Sequence, residues 1–251
     1  MDRIAYQTFA ELEHDHFWFV SRRRIFFELL DRTFAAEPTR QRAVLEIGCG
    51  AGGMLGPLSR YGQTTGLDID HEYVAFCKER GFSQVLCGSG YELPFDDDSF
   101  DLVCLFDTLE HIPDDVQALR EVFRVLRPGG HVFVSVPAYQ WLWSQNDRIA
   151  HHCRRYTTSR LRRALQAAGF APLRVSYFNT VLLPLIVPTV LLQKLRARLG
   201  LLPPDYNNMS VRLPRWINRL FTALMSSERL PLRRFDLPAG HSAFALARRP
   251  D

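Results

Sequence analysis

The chain is short of the features that would place it outside the ordinary globular proteins. Its five cysteines (Cys49, Cys77, Cys87, Cys104 and Cys153) are widely spaced and include no C-x-x-C pair. That spacing argues against a structural zinc site and a disulfide framework, and it points to a reducing compartment. The opening MDRIAYQTFAELEHD is acidic and lacks an apolar centre, unlike a signal peptide. The uncharged run VLLPLIVPTVLL at 181–192 is far shorter than the ~20 residues that span a bilayer. Pro184 and Pro188 are expected to interrupt it. There is no internal repeat and no low-complexity tract. Acidic residues become scarce after position 150: residues 151–251 carry 4 against 17 Lys and Arg, whereas residues 1–150 carry 23 against 14.

What is present fits an α/β core. The chain has 251 residues, of which 47% are hydrophobic and 23% charged. Seven apolar runs read as strands: RAVLEIG, TTGLDID, SQVLCGS, DLVCLFD, HVFVSVP, PLRVSYF and GHSAFALARR. Helical patterns follow the first, second, fourth and fifth, which predicts a mostly parallel sheet covered on both faces. The division expected is a helical cap at 1–40, a core at 41–178, a helical and apolar insertion at 179–239, and the last strand within 240–251.

RAVLEIGCGAGG sets glycines at Gly48, Gly50 and Gly52, directly after an acid-ended strand. Glycines there let a chain turn sharply and let a bulky ligand approach the backbone. Asp68 ends the second strand, where a carboxylate can accept both ribose hydroxyls. On these residues alone, a nicotinamide dinucleotide and S-adenosylmethionine fit equally.

LEIGCGAGG, GLDID, LPFDDDSFDLV, LEHIPD and LRPGG occur in that order. As a set they resemble the class I S-adenosylmethionine-dependent methyltransferases, and more closely the branch with ubiquinone/menaquinone-type and small-molecule methyltransferases. The resemblance covers about residues 42–137. It implies a Rossmann-like, seven-stranded, mostly parallel sheet and S-adenosyl-L-methionine as cofactor. Carried over, Glu46 orders the glycine loop, Gly48, Gly50 and Gly52 wall the amino-acid part of the cofactor, and Asp68 takes the ribose. Ile69 packs on adenine, and Phe106 follows the pocket at the end of the fourth strand. Ser89 stands where the family usually has an aspartate, so Ser89 or Tyr91 must make the adenine contact.

An acceptor should sit outside the carboxyl ends of the strands. Phe17 and Trp18, with Tyr139, Trp141 and Trp143, offer an apolar wall. Asn146, Asp147 and Tyr156 offer polar groups. His151, His152 and His111 are the candidate bases, since histidine titrates near neutrality. Asp147 and His151 are four apart and would share a helix face, but two ligands make a weak metal site, and no metal is expected.

The apolar runs within 181–224 lie beside Lys194, Arg196, Arg198, Arg212, Arg215 and Arg219. That pattern suits an interfacial element on an anionic membrane surface. A lid or a homodimer contact is the competing use. The expected activity is methyl transfer to a small-molecule or lipid-like acceptor, at oxygen, in the cytoplasm or peripherally on the inner face of the membrane. A nucleic-acid methyltransferase is the rival enzyme. Against it, the arginines alternate with long apolar runs, and FDTL replaces the N-P-P-Y-like tetrapeptide. A non-catalytic S-adenosylmethionine-binding partner subunit is the rival outside enzymes. The paired segments HFWF-x-x-RRR and NDRIAHHCRRYT also resemble a bacterial and archaeal methyltransferase subgroup, some of whose members are linked to cell-surface glycan or lipid metabolism.

Overall fold

The computed structural model describes residues 10–35, 41–201 and 213–251. The expected boundary at residue 40 and Arg212 lie outside the described residues. Seven strands form one sheet: β1 (Arg42–Ile47), β2 (Gly62–Asp68), β3 (Val85–Cys87), β4 (Phe100–Phe106), β5 (Leu126–Pro137), β6 (Ala171–Phe178) and β7 (Ser242–Arg248). Their order is β3-β2-β1-β4-β5-β7-β6. Strands β1 to β5 pair in parallel, and β7 runs antiparallel to both β5 and β6. Ile47 lies opposite Leu67 and Leu105, so the strands beside β1 end together. The α/β, Rossmann-like sheet read from the sequence is the one observed.

Alternation along the central strands divides the core between two faces. Leu45, Ile47, Val103, Leu105, Val132 and Val134 face one layer, which holds α4 (Asp115–Val125) and α6 (Thr158–Ala167). Val44, Leu102, Cys104, Phe106, Phe133 and Phe244 face the other, covered by α1 (Phe17–Phe34) and α8 (Arg215–Ser227). There Phe26 stacks on Phe106 with ring centroids 5.4 Å apart. Each such buried ring contributes roughly 1.5–3 kcal/mol by leaving water.

Side-chain caps fix where the helices begin. Asp70 accepts from Glu72 N–H at the start of α3 (His71–Glu79). Asp114 accepts from Gln117 N–H on α4, and Thr157 from Arg160 N–H on α6. Each cap satisfies one of the unpaired donors of a first turn.

Two expectations are corrected. The run around 181–192 is not interrupted: α7 is continuous from Leu183 to Arg198. Pro184 falls in the first turn, where a missing N–H costs nothing, and Pro188 removes one bond only. The strand expected at HVFVSVP begins earlier, at Leu126, which pairs with Phe100 of β4 ahead of a register shift, and Gly129 N–H donates to Arg249 O.

The amphipathic pattern of α8 also divides. Phe221 and Met225 join the core beside α1, whereas Trp216, Leu220 and Leu224 stay exposed. Polar contacts lock the two helices together. Asn218 accepts from Phe17 N–H (2.8 Å) and donates to Asp15 O (2.8 Å), while Ser226 bonds Ser21 (3.2 Å). By contrast α7 buries only Val190 and exposes Leu185, Leu191, Leu192 and Leu195. Among the described residues, no helix is long and apolar enough to cross a membrane.

Candidate active site

The glycine turn is built at the carboxyl end of β1. Gly48 and Cys49 N–H both donate to Leu67 O (2.7 and 3.1 Å), which bends the chain as it leaves the sheet. Gly48 has φ +72°, and a Cβ there would lie 2.5 Å from the Thr108 side chain. Gly50, at φ +51°, has nothing within 4 Å of where a Cβ would stand. One glycine is therefore demanded by close packing, and the other leaves space in front of the backbone.

Asp68 ties the two elements together. Its carboxylate accepts from Gly50 N–H and Asp70 N–H (2.8 and 2.9 Å). Burial raises its pKa, against the pull of those bonds. Glu46 points to the α1 side, is 3% exposed, and its Oε2 has no partner. Burial raises its pKa well above the usual value, and nearby Glu13 adds to the rise. Glu13 belongs to the helical stretch 10–15 and lies against Gly53, in a recess also lined by Phe19, Arg22 and Met54. The N-terminal segment thus folds over the glycine loop.

The other predicted cofactor contacts divide. Ile69 is 77% exposed beside Asp68. Ser89 Oγ accepts from Tyr91 N–H, and Tyr91 OH accepts from Asp114 N–H, so both sit on the loop flanking that side. Phe106 is placed elsewhere: its ring lies in the core against Phe26 and Phe133. The alternation of β4 turns it to the α1 face.

Across the sheet, Asp107 follows β4 at φ +53° and leads into a short turn over Leu109–His111. Arg22 of α1 forms a buried ion pair with Asp107. Glu110 is wholly buried, and neither carboxylate oxygen has a partner. Burial raises its pKa well above the ordinary range, and Asp107 adds to this. Cys153 N–H donates to Glu110 O (2.7 Å), stitching this turn to the loop after β5.

That loop is organised by Asp147 in α5 (Gln145–Ile149). Arg155 grips its carboxylate twice, Nε to Oδ1 at 2.7 Å and Nη2 to Oδ2 at 3.0 Å. Ser144 N–H reaches Oδ2 at 2.7 Å, and His152 Nδ1 meets Oδ1 at 2.9 Å. Burial opposes this charge, but the bonds from His152 and Arg155 hold its pKa well below the ordinary value. A carboxylate only accepts, so the proton in this bond sits on His152 Nδ1. The His152 and His111 rings meet edge to face at 4.7 Å. Burial, then His152, lowers the His111 pKa to about 4. One donor atom each from Glu110, His111 and His152 lies within 4.8 Å of the others.

The remaining predicted acceptor residues scatter. His151 is exposed, at φ +56° beyond the end of α5, so it does not share a face with Asp147. Tyr156 is fully buried and donates to Asp115 (2.8 Å), a core role. Tyr139 stacks between Tyr177 and Trp141 (5.0 and 5.8 Å), with Trp141 53% exposed. Trp143 and Asn146 are half-buried. Trp18 stacks on Phe178, and Phe17 meets Phe221 edge on, so both pack within the layer joining α1 to α8. Arg22, Glu13 and Arg155 were not singled out from sequence as site residues. Arg22 had a signal: it falls between Phe19 and Phe26 on the apolar stripe of α1, where a charge calls for a buried partner.

Residues 45–134 match the family model described as a methyltransferase domain. The chain carries a class I S-adenosylmethionine-dependent methyltransferase domain. The fold and this match point to methyl transfer from S-adenosyl-L-methionine. Over 170 residues the chain is 33% identical to a probable S-adenosylmethionine-dependent methyltransferase of Mycolicibacterium smegmatis, covering 65% of this chain and 63% of that one. Over 75 residues it is 43% identical to a demethylmenaquinone methyltransferase of Staphylococcus epidermidis, 28% of this chain and 31% of that one. The chain therefore spans less than two thirds of these curated relatives. In fold it is similar to a chain of the complex between the Haloferax volcanii Trm112 methyltransferase activator and a methyltransferase. That likeness has a TM-score of 0.60 at 18% identity, over 98% of this chain and 95% of the other.

The geometry of the methyltransferase domain fits its cofactor. The space before Gly50, the partnerless Glu46 oxygen and the bare Ile69 are what a nucleoside with an amino-acid tail would cover. Asp68 keeps further lone pairs for ribose hydroxyls beside the two backbone bonds it accepts.

Proposed function

We propose that this chain moves a methyl group from S-adenosyl-L-methionine to an oxygen of a small, lipid-like acceptor. The observation that carries the reading is Glu110, fully buried without a partner, beside His111 and the Asp147-backed His152. A polar cluster just beyond the carboxyl end of β4 can orient a hydroxyl and help remove its proton. The cofactor, when bound, supplies an electrophilic methyl group on a sulfonium. Asp68 would hold the ribose, Ile69 the adenine, and the Gly48–Gly50 turn the amino-acid end. The likeness to a demethylmenaquinone methyltransferase supports the menaquinone-type branch, over the stretch that it covers.

The exposed leucines of α7 support a place at a lipid surface. Leu191 and Leu195 are each about half exposed, with Lys194, Arg196 and Arg198 on the same helix. On this reading the chain works from the cytoplasm, on the inner face of an anionic membrane.

The test incubates the protein and methyl-labelled cofactor with extract of its source cells. Label on an organic-soluble product, as a methyl ether or ester, is the expected result. Label in nuclease-sensitive material, or S-adenosylhomocysteine binding without any product, sinks it. The membrane part is tested separately, by sedimentation with phosphatidylglycerol and phosphatidylcholine vesicles. Binding to the anionic vesicles alone, lost in Leu191→Asp/Leu195→Asp, is expected. A salt-insensitive dimer with no vesicle binding overturns it.

A further inference from the structure

We propose that Glu110, His111 and His152 hold a divalent transition-metal ion, which in turn binds the acceptor's oxygen. The site is made by two segments, the turn after β4 and the end of the loop after α5, fastened by the Cys153 N–H to Glu110 O bond. Its donor atoms lie within 4.8 Å of one another. An ion ~2.1 Å from each nitrogen or oxygen would set them roughly 3–4 Å apart, so small side-chain rotations close the site.

Three further observations point to a cation. First, Glu110 is fully buried, and both of its oxygens lack a partner. A lone carboxylate in such a place is costly unless it takes a proton or something positive joins it. Second, the two nearby guanidiniums are already engaged, Arg22 with Asp107 and Arg155 with Asp147. Third, Asp147 holds His152 by Nδ1, which leaves Nε2 for a further partner. A histidine whose far nitrogen is pinned by a carboxylate is the usual outer-shell arrangement of a metal ligand. Two imidazoles and one carboxylate suit zinc, manganese, iron or cobalt better than magnesium, which favours oxygen donors. Three protein ligands leave positions open for a bound molecule.

The ion's role rests on the oxygen-acceptor reading above; its binding does not. A hydroxyl oxygen on the ion loses its proton to solvent more readily. That oxygen then forms the new C–O bond, and the electron pair of the broken C–S bond stays with sulfur as a neutral thioether. The histidines act here as ligands rather than as free bases, and the sequence expectation of no metal is set aside.

The experiment strips the full-length protein with chelator, then titrates Mn2+ and follows it by electron paramagnetic resonance. Manganese avoids capture by the five thiols. One tightly held ion per chain is expected. Glu110→Gln and His152→Ala should abolish it, and Asp147→Asn should weaken it about 10- to 100-fold. His151→Ala should leave it unchanged. Binding of S-adenosylhomocysteine by each variant checks the fold, and His111→Ala, at the exposed rim, substitutes for any variant that fails it. No bound ion, or binding that survives both Glu110→Gln and His152→Ala, overturns the site. A carbon- or nitrogen-methylated product from protein that holds the ion would overturn the acceptor reading and leave the site standing.

Discussion

At the cofactor end of the site the surface is mostly backbone: the turn at Gly48 and Gly50, with the Asp68 carboxylate holding Gly50 N–H. At the acceptor end it is mostly side chain. Arg22, Asp107, Glu110, Asp147, His152 and Arg155 come from distant parts of the chain and meet as buried and half-buried polar groups, two ion pairs among them. A surface of backbone holds its shape through its neighbours' packing. A surface of paired charges depends on each partner, because removing one strands another in a place that water does not reach.

The largest effect should separate the two ends by function. Asp68→Asn keeps the shape of the side chain but removes its charge. Affinity for S-adenosylhomocysteine should fall about 100-fold, or ~3 kcal/mol, by calorimetry. Glu110→Gln should stay within about threefold of the parent. Equal losses would mean that the ends act as one unit.

Next in size is stability at the acceptor end. Asp147→Ala leaves Arg155 buried without its partner and should cost about 3 kcal/mol. In a chain of this length that is a fall in Tm of roughly 6–12 °C. His151→Ala, on the exposed turn, should shift Tm by less than about 1 °C. A small shift for Asp147→Ala would remove the claim that this loop hangs on that carboxylate.

The smallest effect is in the sign of the acid response. Glu46 has its pKa raised by burial, so as pH falls the folded chain takes that proton before the unfolded one, and this group gains stability. His241 is held down to about 3 by burial and by Arg155. Below about 6.5 the unfolded chain takes that proton first, so this group loses stability. Between pH 7.5 and 5, Glu46→Gln should lose more Tm on acidification than the parent, and His241→Gln less. The reverse order would show that the charges are assigned to the wrong ends.

The same contrast explains what could be read beforehand. The glycine turn and Asp68 were legible because strand, turn and strand-end acid are close in sequence, and their spacing reports the geometry directly. The mostly parallel sheet followed from alternating strands and helices. The acceptor end was only partly legible. His152 and His111 were candidates, but nothing local distinguishes His152 from His151. Only the end of α5 at Ile149 and the grip of Arg155 on Asp147 decide which histidine turns inward. Tyr156 and Phe106 were misplaced for a related reason: an aromatic at a strand end or in a loop does not announce which face it will fill.

The position of β7 has a consequence for how the molecule is made. Of the seven strands it is synthesised last, yet it lies between β5 and β6 and pairs with both. Until residues 242–248 leave the ribosome, β5 and β6 each present an open edge to the cell. Open edges invite pairing with other chains. A stall late in translation, or loss of the final strand, should therefore yield aggregate rather than a smaller working enzyme.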